Sequence, residues 1–346
     1  MKIFKYVGAM FIFAVVFLGV FTSCAEKIDS KFPYGTIEIE ALGGGACGTP
    51  FYIAYEKGFF ADEGVNAVLV SGTFETNKAG LASGKYPIAN GDFQFFPSVN
   101  EGLDIKIIGG LHQGCIKILV PENSPIKSSK DFKGKRIGVD EIGGTPMAVT
   151  SVVLANAGID PTTGVQWLPY PLDQIVSVAD KGDLDVVALW DPYATLAQKA
   201  GYRVITDIST DPLFAGKYCC FLYASGKQIR EQPKRIAAIL TALQKASDWV
   251  ADNPEEAAKI AVEKDYLPGD DPALVAELLT TYKYGHKHNL INNQDTTKKD
   301  AYYFTDELKK TGYLPKDLDT QKFIDNTYVD IFEAAGVKKH GDSGSH

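Results

Sequence analysis

What this chain lacks narrows its function before any motif is read. Beyond residue 24 it has no apolar run near the roughly 20 residues that a membrane-spanning helix requires. It has no block of lysine or arginine, its 35 basic residues standing against 43 acidic ones for a formal net charge of −8. A nucleic-acid partner, whose phosphates demand clustered Lys and Arg, is therefore not expected. Cysteine is sparse, and Cys47, Cys115, Cys219 and Cys220 show neither the paired CxxC nor the Cys/His spacing of a zinc site. His286 and His288 stand two apart, which suits a strand face, with no third ligand evident. No metal and no cofactor are expected.

What is present begins at the first residue. Lys2 and Lys5 give a positive start, Tyr6 to Val20 is almost wholly apolar, and Phe21-Thr22-Ser23-Cys24 offers small residues before a cysteine. This is the pattern of an export signal over residues 1–23. The last four residues resemble a bacterial lipobox, with Phe21 where leucine is usual, so Cys24 is the expected lipid-attachment site. Removing the signal takes away two lysines and no acid, and the charge of −8 becomes −10. The expected location is the bacterial cell envelope, tethered through Cys24 and facing the periplasm or exterior.

About 320 remaining residues can bury a large core and suggest two domains. Short β-branched runs alternate with amphipathic segments, which predicts an α/β fold with largely parallel strands. Strands are expected at residues 36–42, 65–71, 88–90, 105–109, 136–139, 165–168 and 186–189. Helices are expected at 50–57, 76–83, 146–157 and 172–181. Past Lys227 the pattern is helical, at 233–252, 254–262, 272–284 and 320–335. Proline near the first turn marks several starts, where its missing N–H costs nothing. Residues 338–346, with His340 and His346, form a polar tail expected to be disordered. The stretch at Gly84 echoes that at Gly182, each a helix end, a glycine stop and a buried strand. The echo sets Asp92-Phe93 opposite Trp190-Asp191, just past strand carboxyl ends, where open α/β sheets bind ligands.

Three segments carry a family likeness. Pro50-Phe51-Tyr52-Ile53-Ala54-Tyr55-Glu56-Lys57-Gly58-Phe59-Phe60 with Glu63-Gly64-Val65, Asp131-Phe132-Lys133-Gly134-Lys135-Arg136-Ile137-Gly138-Val139, and Trp190-Asp191-Pro192-Tyr193 together resemble nitrate/sulfonate/taurine-type substrate-binding proteins of ABC importers. The resemblance implies a type II periplasmic-binding fold, two lobes joined by a hinge of two crossover strands. It places lobe one at 36–114 and 221–337, lobe two at 115–220, and a linker at 24–35. It implies capture of a small organic solute (a sulfonate, a taurine-like zwitterion or a pyrimidine precursor), a permease and an ATPase as partners, a monomer, and no catalysis. Thiamine-pyrimidine synthases, which resemble the same family, carry a CCCFC segment. Tyr218-Cys219-Cys220-Phe221 matches it in part, with Tyr218 and Leu222 in place of the flanking cysteines. On this topology Cys115 and Cys219 or Cys220 lie on the crossovers, where a disulfide is geometrically possible. A ligand-sensing partner of a membrane receptor is a further alternative.

The candidate binding residues follow. Gly43-Gly44-Gly45-Ala46-Cys47-Gly48-Thr49 satisfies GxGxxG, but the strand after it ends in Leu69-Val70-Ser71, without the acid that would hold a ribose. A smaller anion at glycine-freed N–H groups, or a plain turn, are the readings left. Gly45, Ala46, Cys47, Thr49 and Phe51 are the candidates there, and Gly144 and Thr145 are the counterpart in the second lobe. Thr145 also suits an N-cap, and Pro146 the first helical position. Asp191 is placed to meet a ligand amine or hydroxyl or to cap a helix, and Trp190 to enclose the ligand or fill a core. Asp92, Phe93 and Gln94, with Phe96, follow the same logic.

Overall fold

The computed structural model describes residues 30–41, 44–269, 271–285 and 294–339. The export signal, Cys24, Gly43, His286, His288, His340 and His346 lie outside the described residues.

Strand β1 (Thr36–Glu40) pairs in parallel with β2 (Asn66–Val70). Next to them, β3 (Ile88–Gly91) and β4 (Ile105–His112) flank a strand from much later in the chain, β10 (Cys220–Ser225), which runs antiparallel to both. A second sheet holds β5 (Ile116–Val120), β6 (Arg136–Val139), β7 (Gln166–Pro169), β8 (Val186–Trp190) and β9 (Arg203–Asp207) in the order β7-β6-β8-β5-β9. The chain crosses between the two lobes twice, at Gln113–Cys115 and again between β9 and β10.

The expectation of largely parallel strands needs correcting. Among the described residues four of seven strand pairings are antiparallel, and each involves β5 or β10. Those are the two strands that follow a crossing, and each enters its sheet against the direction of its neighbours.

Element starts follow the proline and capping logic. Pro233–Asp252 begins on its proline and buries Ile236, Ile239, Leu240, Leu243 and Val250 along one face, packed on the helix Thr49–Glu56. The single helix expected over 320–335 is two. Thr320–Thr327 ends where Val329 N–H donates to Ile107 C=O at 2.9 Å, and Tyr328 bridges to Ile107. Asp330 then caps Ile331–Ala335, accepting from Phe332 N and Glu333 N. Helix Gln294–Thr311, unread in the sequence because its composition is so polar, docks on Thr145–Asn156. It buries Ala301, Phe304 and Leu308, stacks Phe304 on Phe93 at 4.4 Å, and lets Glu307 accept from Asn156 Nδ2 at 2.7 Å. Among the described residues no helix is long and apolar enough to cross a membrane.

Candidate functional site

A cavity of about 120 Å³ lies between the two lobes. Three hydrogen bonds span the cleft around it. Ala46 N donates to Asp191 C=O at 3.0 Å, Thr145 Oγ1 to Gln94 Oε1 at 2.5 Å, and Phe74 N to Glu141 Oε1 at 2.9 Å. The lobes are thus closed on one another.

One wall is the turn Ala46–Gly48 leading into the helix Thr49–Glu56. A Cβ on Gly45 would meet Cys47 Sγ at 3.2 Å, so glycine leaves room for that thiol, and Trp190 Nε1 stands at ordinary contact distance, 4.0 Å, across the cleft. Tyr52 holds the turn from behind, its hydroxyl donating to Ala41 C=O at 2.9 Å.

The mouth is acidic and amidic. Glu40 ends β1, Asn77 lies in the helix Phe74–Ser83, and Glu141 follows β6 by two residues; all three line the cavity with Gln94 and Thr145. Glu40 accepts from Asn77 Nδ2 at 2.8 Å. Burial, then the charge of Glu141, pushes the Glu40 carboxyl up to about 7. Burial and the same neighbour push Asp140 to about 7 as well. Among the described residues no lysine or arginine lines the cavity. Lys78 lies nearby, paired with Glu75 at 2.7 Å and over the Phe74 ring at 4.7 Å.

The floor is thiol-rich. Cys47, Cys115 and Cys220 line it, and Cys219 Sγ stands 3.1 Å from Cys115 Sγ, with all four described cysteines unbridged. Burial raises the Cys115 thiol, whereas hydrogen bonds from Cys115, Cys219 and Cys47 hold Cys220 well below the usual thiol range.

Two lining residues carry buried polar atoms with no partner: Trp190 Nε1, a donor, and Asn77 Oδ1, an acceptor. Such atoms cost free energy unless something pairs with them, and a captured solute can.

Of the residues singled out from sequence, Gly45, Cys47, Gln94, Thr145 and Trp190 line the cavity. Ala46, Thr49, Phe51, Phe93 and Gly144 do not. Thr49 Oγ1 donates back to Ala46 C=O at 2.7 Å, Phe51 is core, Phe93 stacks on Phe304, and Gly144 is the N-cap of Thr145–Asn156. Asp191 turns away from the cavity: its Oδ1 accepts from Thr195 N, Thr195 Oγ1 and, at 3.4 Å, Lys117 Nζ. Asp92 is fully buried, accepting from Gln94 N at 2.7 Å. Sequence reasoning passed over Glu40 and Glu141, although both sit at strand carboxyl ends, the position that drew attention to Asp92 and Asp191.

The comparison with known proteins now has a geometry to rest on. Residues 48–257, more than half of the chain, match the family model described as NMT1/THI5 like. The chain belongs to the NMT1/THI5-like family. A Bacillus subtilis (strain 168) protein named as an aliphatic sulfonates-binding protein is 28% identical over 309 residues, covering 86% of this chain and 87% of that protein. The nitrate/nitrite binding protein NrtA of Nostoc sp. (strain PCC 7120) is 24% identical over 314 residues, covering 80% and 70%. Among solved structures, the periplasmic aliphatic sulphonate binding protein SsuA from Escherichia coli superposes with a TM-score of 0.66 at 18% identity, over 90% of this chain and 95% of that one. The desulfurization enzyme DSZB superposes with a TM-score of 0.56 at 15% identity, over 87% and 99%. The NMT1/THI5-like chain therefore has the two-lobe periplasmic-binding fold. Its relatives are named as binding proteins, and the same fold also carries catalysis.

Proposed function

We propose that this chain captures a small solute between its lobes for an ABC importer, and that the solute carries a cationic or strongly donating nitrogen at one end and an acceptor at the other. One observation supports this most: Glu40 and Glu141 line a cavity to which, among the described residues, no lysine or arginine contributes. Asn77 Oδ1, beside Glu40, calls for a donor, and Trp190 Nε1 for an acceptor. Of the solutes the sequence suggests, a taurine-like zwitterion or an amino-pyrimidine precursor matches this polarity. A plain alkanesulfonate would meet two carboxylates, and would bind only where they are protonated.

On this reading the chain is a capture protein and not an enzyme, as its named binding relatives suggest. Lobe one comprises residues 36–114 and 221–337, and lobe two residues 115–220. A lipid on Cys24 tethers a monomer to the envelope, and a permease and ATPase receive the solute from the closed lobes. Sensing for a membrane receptor would use the same closure; permease and ATPase genes found beside this one would decide for transport.

Isothermal titration at pH 6 and pH 8 with taurine, an alkanesulfonate of equal length and a 4-aminopyrimidine tests the proposal. We expect one-to-one binding of an amine-bearing solute, with taurine tighter at pH 8 than at pH 6 because Glu40 sheds its proton near 7. Preference for the plain sulfonate, strengthening toward acid, would overturn the polarity assigned to the cavity.

A further inference from the structure

Three cavity-lining thiols and one buried histidine come together from three distant stretches of chain. Cys47 lies in the turn Ala46–Gly48, His112 ends β4, Cys115 occupies the first crossing, and Cys220 opens β10. One ligand atom from each lies within 4.8 Å of all the others. Sulfurs around tetrahedral zinc are about 3.8 Å apart, given Zn–S bonds of about 2.3 Å. The four groups therefore need to contract by only about 1 Å.

The histidine is set up as a ligand. Its Nδ1 faces Gln113 C=O at 3.3 Å, and its Nε2 is fully buried with no hydrogen-bond partner. A proton on Nδ1 donated to that carbonyl leaves the Nε2 lone pair free, the arrangement by which backbone carbonyls orient metal-bound imidazoles. The ring is held between Tyr282 and Tyr284, with centroids at 5.1 and 5.6 Å. Cys220 is the residue directly opposite His112 in the ladder, and Cys219 N donates to His112 C=O at 2.9 Å. Cys115 is held at φ +146°, a backbone region that side chains other than glycine rarely adopt.

We propose that Cys47, His112, Cys115 and Cys220 form a Cys3His site for a thiophilic divalent cation, with zinc(II) as its probe. On binding, the three thiols give three protons to solvent and three sulfur lone pairs to the metal, and neutral imidazole supplies the fourth pair. Nothing is oxidised or reduced, and the site gains a net charge of −1. With four protein ligands it is closed, as structural zinc sites are. It ties the turn at Cys47 to both crossings, and it lies under whatever the cavity holds. Sequence spacing hid it because its ligands converge only in the fold. The proposal does not depend on which solute is captured.

Cys219 supplies the competing chemistry, since a Cys115–Cys219 disulfide would remove one ligand. The test uses the full chain, reduced, equilibrated with zinc(II) and gel-filtered. We expect one zinc per chain by elemental mass spectrometry, and proton release on binding. Cobalt(II) in its place should show thiolate charge-transfer absorption and intense tetrahedral ligand-field bands. Cys220→Ser and His112→Gln should each weaken zinc binding at least about 100-fold, above the 10–100-fold typical of outer-shell losses. Cys219→Ser should leave it unchanged. Should those ligand variants fold poorly, the wild-type cobalt spectrum decides alone, and absent thiolate charge transfer overturns the site. Zinc retained equally by Cys220→Ser, or a Cys115–Cys219 disulfide mapped in protein purified from cells, also overturns it.

Discussion

The two lobes place buried acids after comparable strands and treat them differently. After β8, Asp191 is supported by a lysine: Lys117 reaches it from β5, and Thr195 adds a backbone and a hydroxyl donor. After β3, Asp92 has only Gln94 N, and its Oδ2 is buried without a partner. At the end of β1, Glu40 has one amide from Asn77 and feels the charge of Glu141. Burial raises all three carboxyls, and only at Asp191 does a lysine pull the other way. Asp191 is thereby committed to fastening its own lobe, while Glu40, which lines the cavity, holds a proton that a cationic solute can displace.

The contrast breaks most visibly at Lys117. Lys117→Met keeps the length of the side chain and leaves Asp191 buried without its cation. Removing one partner of a buried pair typically costs about 3–5 kcal/mol. We expect a loss near the lower end of that range at pH 8, read as a fall in the urea midpoint. The loss should shrink toward acid, where Asp191, its carboxyl already raised by burial, takes up a proton in place of the missing charge. An unchanged midpoint at pH 8 would mean that Asp191 is no anchor, and the two lobes would not differ as described.

The next effect belongs to the unsupported acids. The folded chain holds the Glu40 proton up to about pH 7, against the ordinary 4.5 of an unburied glutamate. Its stabilising contribution is therefore complete below about pH 4.5 and is lost as the pH rises through 7. At about 1.4 kcal/mol per pH unit the shift is worth on the order of 3 kcal/mol. Asp140, raised from 3.8 to about 7, adds in the same direction. Stability of the solute-free protein should fall between pH 5 and 7.5, and Glu40→Gln should flatten the fall. Saturating taurine should flatten it too, by neutralising the same charge. A profile that rises with pH and is indifferent to Glu40→Gln would remove the contrast between the lobes.

How far these features could be read from sequence depends on the range of the interactions behind them. Arg136–Val139 and Pro233–Asp252 match their expected bounds, because proline, glycine stops and periodicity are local signals. Strand direction at β5 and β10 was not legible, since it depends on which sheet a crossing strand joins. In the cavity, Gly45, Cys47, Gln94, Thr145 and Trp190 lie near turn signals that sequence displays. Glu40 closes a strand, Thr-Ile-Glu-Ile-Glu, whose alternation makes both glutamates look solvated. Glu38 does lie partly exposed and pairs with Lys85 at 2.9 Å, but Glu40 is buried, packed against Gly72 and bonded to Asn77 from a later helix. The thiol floor was illegible because Cys47, Cys115 and Cys220 stand far apart in sequence and converge only in the fold.

The smallest effect is expected at Asp92, and it is the most discriminating. If burial keeps this carboxyl protonated, Asp92→Asn exchanges one neutral group for another of nearly the same shape. The side-chain oxygen that accepts from Gln94 N is retained, and the backbone C=O that receives the Tyr223 hydroxyl at 2.7 Å is untouched. The change in stability should be below about 1 kcal/mol, as for a swap that leaves no buried group newly unpaired, and it should not vary between pH 6 and 8. Asp191→Asn should behave differently, because it leaves Lys117 facing a neutral amide and weakens the fold more as the pH rises above the carboxyl's own titration. Equal, pH-dependent losses in both variants would mean that Asp92 is ionised without a counter-ion. The lobes would then share one design, and the polarity assigned to the cavity would lose its physical basis.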